Sequence, residues 1–364
     1  MNLILKNLLK KSDALLISSR PNIIYLTTYP NFSETERECF LLLTRSLPAG
    51  KAGKQYLITD KRYSLALEEI AKDFEIIDTG ALNFITKDAK NFFKKEKIKT
   101  IGFEDYDLTV SEYSKLEKIV KTNPIDLRNF RAIKQKKEIE NIRKACKIGD
   151  DAFDYIIQQL KLGITEREVV DKLETFINSK GADVSFKPII AFGKNSSIPH
   201  HMTERDRLRT NQIVLLDFGV KINNYCSDMS RTVFFGSASA EFKRIYKTVL
   251  EAQTKAIEYI NGQLSMVNGQ LFAKDIDKIA RQYIIKQGYP NIIHSVGHGV
   301  GIEVHEPPHL SPTSKDIIKP GMVFSVEPGI YIPGFGGVRI EDLVFISNNK
   351  VELISHSNRE IIEL

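Results

Sequence analysis

Cysteine is scarce in this 364-residue chain, which contains only Cys39, Cys146 and Cys226. An odd and widely separated set fits neither a disulfide framework nor a thiolate zinc site, so we expect free thiols in a reducing compartment. No apolar run approaches the ~18–20 residues of a membrane span. The first eleven residues lack a long apolar segment and a small-residue cleavage site, which argues against a signal peptide. We therefore expect a soluble, cytoplasmic protein.

The chain also lacks the concentrated positive charge of a nucleic-acid-binding protein. Its formal net charge is +6, from 52 basic and 46 acidic residues. Residues 1–125 contain 20 basic and 17 acidic side chains, so both parts of the chain share the small excess. A nucleic-acid module concentrates its charge on one element. We therefore expect neither nucleic acid nor a membrane among its partners.

Residues 1–125 alternate short apolar runs with amphipathic segments, which predicts an α/β domain. The predicted strands are Ala14–Ser18, Cys39–Leu43, Tyr56–Thr59, Phe74–Ile77 and Thr100–Phe103, with helices near Tyr63–Ala71 and Leu108–Val120. The Thr122-Asn123-Pro124 segment is interpreted as the break that ends this domain.

Residues 126–364 are predicted to form a second domain, of the α+β class. Two helical patterns come first, and Thr165 with Glu168 fits a capping box at the start of the second. Beyond Ser185 the sequence changes to β-type runs with glycine turns. The predicted helices of this domain are Lys137–Leu160, Thr165–Lys180, Ala240–Tyr259 and Ala273–Lys286.

Histidine is absent from the first 199 residues. Six of the seven histidines lie in one window, at positions 200, 201, 294, 298, 305 and 309. A site that uses histidine must therefore be carried by the second domain.

Two carboxylate pairs in the second domain flank predicted hairpin turns. Asp217 and Asp228 are centred on the turn Lys221–Asn224, and Glu327 and Glu341 are centred on a glycine-rich turn. Because residues equidistant from a hairpin turn face one another, each pair is predicted to consist of cross-strand neighbours. Opposed carboxylates destabilise a sheet and are costly to bury, and a bound cation removes both penalties.

His298, in a glycine-rich segment, adds a nitrogen ligand to these four carboxylates. Five donors exceed a closed tetrahedral zinc site and suit two adjacent divalent ions, with manganese or cobalt favoured by the oxygen-rich ligands. The alternative is that the acids flank turns by chance and point to solvent.

The segment His305-Glu306-Pro307-Pro308-His309 matches H-E-x-x-H, the zincin signature. That mechanism needs both histidines on one face of a continuous helix. Two internal prolines are incompatible with a helix, so we reject a zincin site.

The ligand-type residues lie in motifs that resemble the pita-bread metallopeptidases, in the branch of Xaa-Pro dipeptidase (prolidase) and Xaa-Pro aminopeptidase. The matching segments are Asp217–Gly219, Tyr225–Thr232, Gly297–Glu306, Val326–Gly329 and Arg339–Asp342. Residues 1–125 resemble the creatinase-type N-terminal domain of the same proteins. The resemblance implies an α/β creatinase-like domain at 1–125 and an α+β pita-bread catalytic domain at 126–364.

Residue by residue, the resemblance implies two divalent metal ions, with manganese expected first and cobalt or zinc as alternatives. The implied metal ligands are Asp217, Asp228, His298, Glu327 and Glu341, with Asp228 and Glu341 bridging the ions. Glu327 would also act as general base on the bridging hydroxide or water.

The same resemblance implies roles for three further residues. His200 and His305 would bind substrate and stabilise the tetrahedral intermediate, and Arg339 would orient a neighbouring carboxylate. His294 is interpreted as structural. The implied activity is hydrolysis of the Xaa-Pro bond in dipeptides or short peptides, by an enzyme that forms a homodimer.

His309 departs from the resemblance, because several compact prolidases have arginine at the matching place. An imidazole cannot make the bidentate contact by which a guanidinium would bind the carboxylate of a C-terminal proline. We assign His309 to substrate binding and favour a dipeptidase. The alternatives are an Xaa-Pro aminopeptidase acting on longer peptides and an inactive binding protein on the same fold.

Overall fold

The computed structural model describes residues 3–33, 35–45, 53–264, 270–348 and 350–364. It divides into two compact units, of which the first ends at Arg131 and the second begins at Ala132. The predicted division between residues 125 and 126 falls at the end of the last strand of the first unit, six residues before that unit ends. Met1 and Asn2, which open the segment tested above for a signal peptide, lie outside the described residues.

A six-stranded mixed sheet organises the first unit, in the order β4-β3-β2-β1-β5-β6. Its strands are β1 (Ala14–Ile17), β2 (Phe40–Thr44), β3 (Gln55–Thr59), β4 (Glu75–Asp78), β5 (Thr100–Glu104) and β6 (Lys121–Ile125). Leu15 and Ile17 pack into the core on one face, and Ala14 and Leu16 into the core on the other. This alternation follows from the two-residue period of a strand.

The helices of the first unit cover both faces of the sheet. They are α1 (Leu3–Leu8), α2 (Arg20–Thr27), α3 (Lys61–Ile70), α4 (Ala81–Asn83), a π-helical turn at Phe84–Asp88, α5 (Ala89–Lys95), α6 (Val110–Leu116) and a 3₁₀ turn at Arg128–Arg131. Pro124 lies inside β6, so the interpretation of its segment as the break after the domain is wrong. Because β6 is an edge strand, its proline need not supply a ladder hydrogen bond.

The second unit contains four long helices and thirteen short strands among its described residues. The helices are α7 (Lys136–Ile157), α8 (Glu166–Ser179), α9 (Ala240–Leu264) and α10 (Ala273–Lys286), with a 3₁₀ turn at Gly193–Ser197. The strands are β7 (Asp183–Val184), β8 (Ile189–Phe192), β9 (Gln212–Phe218), β10 (Val220–Ile222), β11 (Tyr225–Cys226), β12 (Met229–Phe235), β13 (Gly297–Gly299), β14 (Glu306–Leu310), β15 (Val323–Val326), β16 (Gly329–Ile332), β17 (Gly336–Arg339), β18 (Asp342–Ile346) and β19 (Val351–Leu353).

These strands form sheets whose outer faces are covered by the helices. The strand orders are β12-β9-β8, β11-β10-β7, β14-β13-β15-β18-β19 and β16-β17. Residues of α7 and α8 share one core with β9, and residues of α9 and α10 share another with β15 and β18. The predicted capping box is confirmed, since Glu168 N donates to Thr165 Oγ1 at 3.1 Å and Thr165 N donates to Glu168 Oε2 at 2.8 Å.

Two expectations about the whole chain can be compared with this fold. All three cysteines are free, as their number and spacing predicted, and all three are buried. In the part of the chain that the structure describes, none of the helices is both long enough and apolar enough to cross a membrane.

Candidate metal centre

The five proposed metal ligands come from strand ends of the second unit that converge on one cavity of about 320 Å³. Asp217 is the penultimate residue of β9, Asp228 directly precedes β12, and His298 is the central residue of β13. Glu327 directly follows β15, and Glu341 lies between β17 and β18. The cavity is lined by all nine site residues named from the sequence: Asp217, Asp228, His298, Glu327, Glu341, His200, His305, His309 and Arg339.

The predicted cross-strand pairing of Asp217 with Asp228 is wrong by two residues. Asp217 faces Ser230 across the β9–β12 ladder. The turn is centred between Asn223 and Asn224, which both adopt left-handed backbone conformations, with φ of 50° and 71°. Asparagine tolerates this conformation in two-residue hairpin turns, which moves the centre one residue beyond the predicted midpoint. Asp228 therefore lies in the break between β11 and β12.

Glu327 and Glu341 are related by the predicted register. The β16–β17 hairpin pairs Gly329 with Arg339, and the β15–β18 ladder pairs Val326 with Asp342. Both pairings are symmetric about residue 334, so Glu327 and Glu341 occupy equivalent positions in the short gap between the two ladders. Strand β17 ends at Arg339, before this gap, and β15 pairs with β18.

The carboxylates and the imidazole lie within the distances that a shared cation requires. One ligand atom from each of Asp217, Asp228 and Glu341 lies within 4.8 Å of the others, and the same holds for His298, Glu327 and Glu341. His298 Nε2 is 3.2 Å from Glu327 Oε1 and 3.6 Å from Asp228 Oδ2. Four acids and one base therefore form a single cluster.

Hydrogen bonds from Arg339 and Ser230 hold two of these carboxylates in place. Arg339 Nη2 lies 2.5 Å from Asp217 Oδ2, and Arg339 Nε donates to Ser230 Oγ at 2.7 Å. Ser230 Oγ in turn donates to Glu341 Oε2 at 2.8 Å. The sequence assigned to Arg339 the orientation of a neighbouring carboxylate, and the structure places its guanidinium against Asp217.

Burial and mutual repulsion set the charges of the carboxylates. Burial raises the pKa of Asp228 well above its ordinary value, and nearby Glu341 raises it further. Burial, together with repulsion by Glu327, raises the pKa of Glu341 to about 8. Burial also raises the pKa of Asp217, against the opposing effect of Arg339. The cluster carries more carboxylates than its own cations neutralise.

Glu327 and His298 form an ionised pair in this cluster. Burial would raise the pKa of Glu327, but its hydrogen bond to the His298 imidazole lowers it to about 2. Burial would lower the pKa of His298, but Glu327 raises it to about 9. Burial and the neighbouring His298 lower the pKa of His305 to about 4, so this imidazole is neutral at neutral pH.

Two buried oxygen atoms support a cation within the cluster. Asp228 Oδ1 and Glu341 Oε1 are fully buried and accept no hydrogen bond from the described residues. An unpartnered buried carboxylate oxygen is costly, and a metal ion would satisfy it. These are the two residues to which the resemblance assigned the bridging positions, so the side chains present fit a pair of divalent ions.

Three histidines of the cavity wall are exposed, and one of them also lies close to the proposed ligands. His200, His305 and His309 are exposed residues of its lining. The ring centroid of His305 is 4.2 Å from that of His298, and one atom of each of Asp228, His298 and His305 lies within 4.8 Å of the others. His305 therefore lies within ligand distance as well as at the cavity wall.

The sequence interpretation missed several residues of the site. His294 lines the cavity, and its Nε2 lies 2.8 Å from the Tyr331 hydroxyl, which accepts a hydrogen bond from Arg339 Nη1. Its position four residues before His298 in the histidine-rich window was the available signal. Phe186 and Ile189 supply apolar wall, which no local pattern indicated.

The zincin-like segment is part of a strand. Glu306, Pro307, Pro308 and His309 belong to β14, so the rejection of a helical zincin site is confirmed. The Glu306 carboxylate is turned into the protein, where Lys134 Nζ contacts it at 2.7 Å.

Sequence comparison now identifies the family. The model of the "Metallopeptidase family M24" matches residues 140–348, and that of the "Creatinase/Prolidase N-terminal domain" matches residues 8–144. The chain belongs to metallopeptidase family M24. This confirms the resemblance and the fold that it implied, with a creatinase-type domain followed by a pita-bread domain.

Relatives of this M24 metallopeptidase cover nearly its whole length. The "Uncharacterized peptidase YqhT" of Bacillus subtilis (strain 168) is 37% identical over 97% of this chain and 96% of its own. Among solved structures, an "Xaa-Pro dipeptidase" from Bacillus anthracis has a TM-score of 0.87 and 33% identity, covering 99% and 98% of the two chains.

Two further structures show how close the branches of the family are. A prolidase from Thermococcus sibiricus has a TM-score of 0.86 and 34% identity, with both chains covered completely. An "X-Pro aminopeptidase" from Thermotoga maritima MSB8 has a TM-score of 0.84 and 31% identity, covering 99% of each chain. The fold of this M24 metallopeptidase is thus common to dipeptidases and aminopeptidases.

Proposed function

We propose that this M24 metallopeptidase is a dinuclear-metal exopeptidase that hydrolyses the Xaa-Pro bond of dipeptides or short peptides. The observation that carries the proposal is the convergence of Asp217, Asp228, His298, Glu327 and Glu341 on one cavity, with buried oxygens of Asp228 and Glu341 unpartnered among the described residues. The Xaa-Pro specificity rests on the sequence motifs and on the names of the structural neighbours.

Two divalent ions at this site would activate a water and polarise the scissile carbonyl. Glu327 is ionised at neutral pH and would accept the proton of the attacking water. His200 and His305 lie on the cavity wall, where an imidazole N–H can donate a hydrogen bond to the substrate carbonyl. Arg339 holds the Asp217 carboxylate in its orientation.

Glu327→Gln tests the assignment of the general base. Glutamine preserves the shape and one oxygen donor but cannot accept a proton, so turnover should fall by about 10²–10⁴-fold. The thermal melting temperature, Tm, and the metal content should stay close to those of the wild type. Retained turnover in a metal-loaded Glu327→Gln variant would contradict the assignment.

An aminopeptidase acting on longer peptides is the second candidate, and one observation favours it. Among the described residues that line the cavity, Arg339 is the sole arginine or lysine, and Asp217 engages its guanidinium. The carboxylate of a C-terminal proline would therefore meet imidazoles such as His309. A substrate that continues beyond proline has no carboxylate at that place.

A hydrolysis assay distinguishes the two candidates. Metal-stripped enzyme is supplied with Mn²⁺, Co²⁺ or Zn²⁺ and offered Xaa-Pro dipeptides, Xaa-Pro-Xaa tripeptides and matched Xaa-Ala peptides. A dipeptidase cleaves the first set faster and leaves the alanine peptides largely intact. Faster cleavage of the tripeptides would support the aminopeptidase, and no cleavage with any metal would contradict both candidates.

We also propose that the enzyme acts in the cytoplasm as a homodimer. The buried free cysteines support a reducing location, and the dimer rests on the family resemblance. Light scattering after size-exclusion chromatography would measure the mass of the assembly, and a monomer mass of 41.4 kDa would contradict the dimer.

A further inference from the structure

A single buried amide connects helix α9 to the strands that carry both glutamate ligands. Gln253 is fully buried, and its Nε2 lies 3.0 Å from the Val326 carbonyl and 3.3 Å from the Ile340 carbonyl. Val326 directly precedes Glu327, and Ile340 directly precedes Glu341. One side chain thus contacts the backbone immediately before each of the two ligands.

The strands separate at this point. The β15–β18 ladder ends at Val326 and Asp342, and the β16–β17 ladder begins at Gly329 and Arg339. Between the ladders, the amide of Glu327 donates to the Val296 carbonyl at 2.8 Å. The amide of Glu341 instead donates to the Ser230 carbonyl at 3.0 Å.

The two glutamates are therefore attached to different neighbouring segments, since Val296 directly precedes β13 and Ser230 lies in β12. Direct pairing between Glu327 and Glu341 does not fix their separation. Gln253 lies between the two segments that carry them and donates hydrogen bonds to both, through the carbonyls of Val326 and Ile340.

Gln253 is itself held by a rigid group. Its Nε2 is also 2.9 Å from Asp342 Oδ2. The other carboxylate oxygen of Asp342 lies 2.5 Å from Arg231 Nη2 and accepts a hydrogen bond from Ser355 Oγ at 3.0 Å. Arg231 and Asp342 are both almost completely buried.

Within the described part of the chain, the NH₂ group of the Gln253 amide makes hydrogen bonds and its carbonyl oxygen does not, which indicates that the NH₂ group is the part that matters. Three acceptors surround Nε2, whereas the buried Oε1 accepts no hydrogen bond from the described residues. An unpartnered amide oxygen in the core is destabilising. A glutamine is therefore a costly residue at this position unless its NH₂ group is needed there.

We propose that Gln253 is a positioning residue of the metal centre, which sets the separation of the Glu327 and Glu341 carboxylates by binding the carbonyls that precede them. Glu341 is assigned to bridge both ions and Glu327 to bind one of them, so this separation determines how well two ions fit together. The inference rests on the proposed dinuclear centre.

Gln253→Met tests the proposal, because methionine has a similar length and no donor. Gln253→Asn is the second variant, which keeps an amide and withdraws it by one methylene group. Tyr246→Phe is the matched control. Tyr246 is buried on the same helix, and its hydroxyl donates to the Arg359 carbonyl at 2.8 Å, away from the ligands.

The measurements are isothermal titration of metal-stripped protein with Co²⁺, the absorption spectrum of the cobalt-loaded protein, and the Tm of the metal-free protein. We expect the affinity for the second Co²⁺ to fall by about 10-fold or more in both Gln253 variants, as when other residues that orient ligands are removed. The Co²⁺ spectrum should change with it. Tyr246→Phe should bind both ions as the wild type does, even where its metal-free Tm falls equally.

Three outcomes would overturn the proposal. The first is that both Gln253 variants bind two Co²⁺ ions with the affinity and spectrum of the wild type. The second is that the control loses as much affinity as they do, which would show a general loosening of α9. In either case the proposed dinuclear function stands. A wild-type chain that binds no Co²⁺ would overturn that function and this inference together.

Discussion

Protons and metal ions compete for the buried residues of this site. In the metal-free chain, the pKa of Glu341 is raised to about 8 by burial and by Glu327. The pKa of Asp228 is raised well above its ordinary value by burial and by Glu341. The pKa of His298 is raised to about 9, against its burial, by Glu327. Glu341 and His298 therefore hold protons at neutral pH that a divalent ion must displace.

The first prediction concerns the pH dependence of stabilisation by metal. A group whose pKa is higher in the folded than in the unfolded state stabilises the fold at low pH and loses that contribution as pH rises through the folded value. Glu341 and His298 therefore make the metal-free protein less stable as pH rises toward 8 to 9. The pKa of Glu327 lies far below this window and adds nothing to the trend.

The increase in Tm produced by Mn²⁺ should consequently be larger at about pH 8.5 than at about pH 6. Differential scanning fluorimetry with chelator or with Mn²⁺ measures both series. Chelator should also abolish turnover. An increase in Tm that shrinks toward high pH would contradict the assigned ligand set.

The second prediction separates substrate contacts from metal contacts. His305 lies within ligand distance of Asp228 and His298, yet the resemblance assigns it to substrate. His305→Ala should keep the metal and lower turnover by about 10²-fold, the usual cost of removing one donor to the developing oxyanion. His298→Ala is the control and should lose metal. Loss of metal from both variants, measured by elemental analysis, would make His305 a ligand.

At the scale of elements, contacts on both sides of His305 hold its segment in place. Gly301 O accepts a hydrogen bond from Cys226 N at 2.7 Å. The next anchor is the buried pair of Glu306 and Lys134, whose side chains are 1% and 0% exposed. A Cβ at Gly301 would lie 2.5 Å from Glu306 Oε1, so a larger residue here would require the carboxylate to shift.

The third prediction concerns this buried pair. Lys134→Met removes the ammonium that neutralises the Glu306 carboxylate, and should lower the free energy of unfolding by roughly 3–5 kcal/mol. The double variant Lys134→Met/Glu306→Met should recover most of this loss, because it removes both charges. Urea unfolding of the wild type, the single variant and the double variant measures these free energies. Lys147→Met, which breaks an exposed pair with Asp151 on α7, should leave stability unchanged.

The elements also show where reasoning from spacing succeeds. Symmetry about residue 334 correctly placed Glu327 and Glu341 at equivalent positions on the two chain segments. The β15–β18 and β16–β17 ladders share this centre of symmetry. The same reasoning misplaced Asp228, because the position of its turn depends on the backbone conformation of Asn223 and Asn224. The bounds of α10 and the capping box at Thr165 were predictable, since both depend on local sequence.

Other features of the site could not be predicted, because they depend on packing between elements distant in the chain. Gln253 lies 73 residues from Val326, and Phe186 reaches the cavity from the segment before β8. Nothing in the sequence near either residue marks it as part of a metal centre. The five proposed ligand positions could be named from the sequence because their motifs, taken together, resemble one family.

At the scale of the whole molecule, shared architecture does not determine the substrate. The chain is 33% identical to a named Xaa-Pro dipeptidase and 31% identical to a named X-Pro aminopeptidase, with TM-scores of 0.87 and 0.84. The creatinase-type match, at residues 8–144, extends past the start of the second unit at Ala132. We therefore expect the preference between dipeptides and longer peptides to depend on local features of the cavity, such as individual side chains.

The last prediction tests one such side chain. His309 is exposed on β14 at the cavity wall, and its backbone amide donates to Asp316 Oδ2 at 2.8 Å. His309→Arg would supply a bidentate partner for the carboxylate of a C-terminal proline. The ratio of kcat/KM for Xaa-Pro dipeptides to that for tripeptides should rise by about 10-fold, since a hydrogen bond to a charged group contributes about 1.5–3 kcal/mol. His309→Gln, which is neutral, should not raise the ratio. If arginine changes both substrates equally, the cavity does not bind the proline carboxylate at this position.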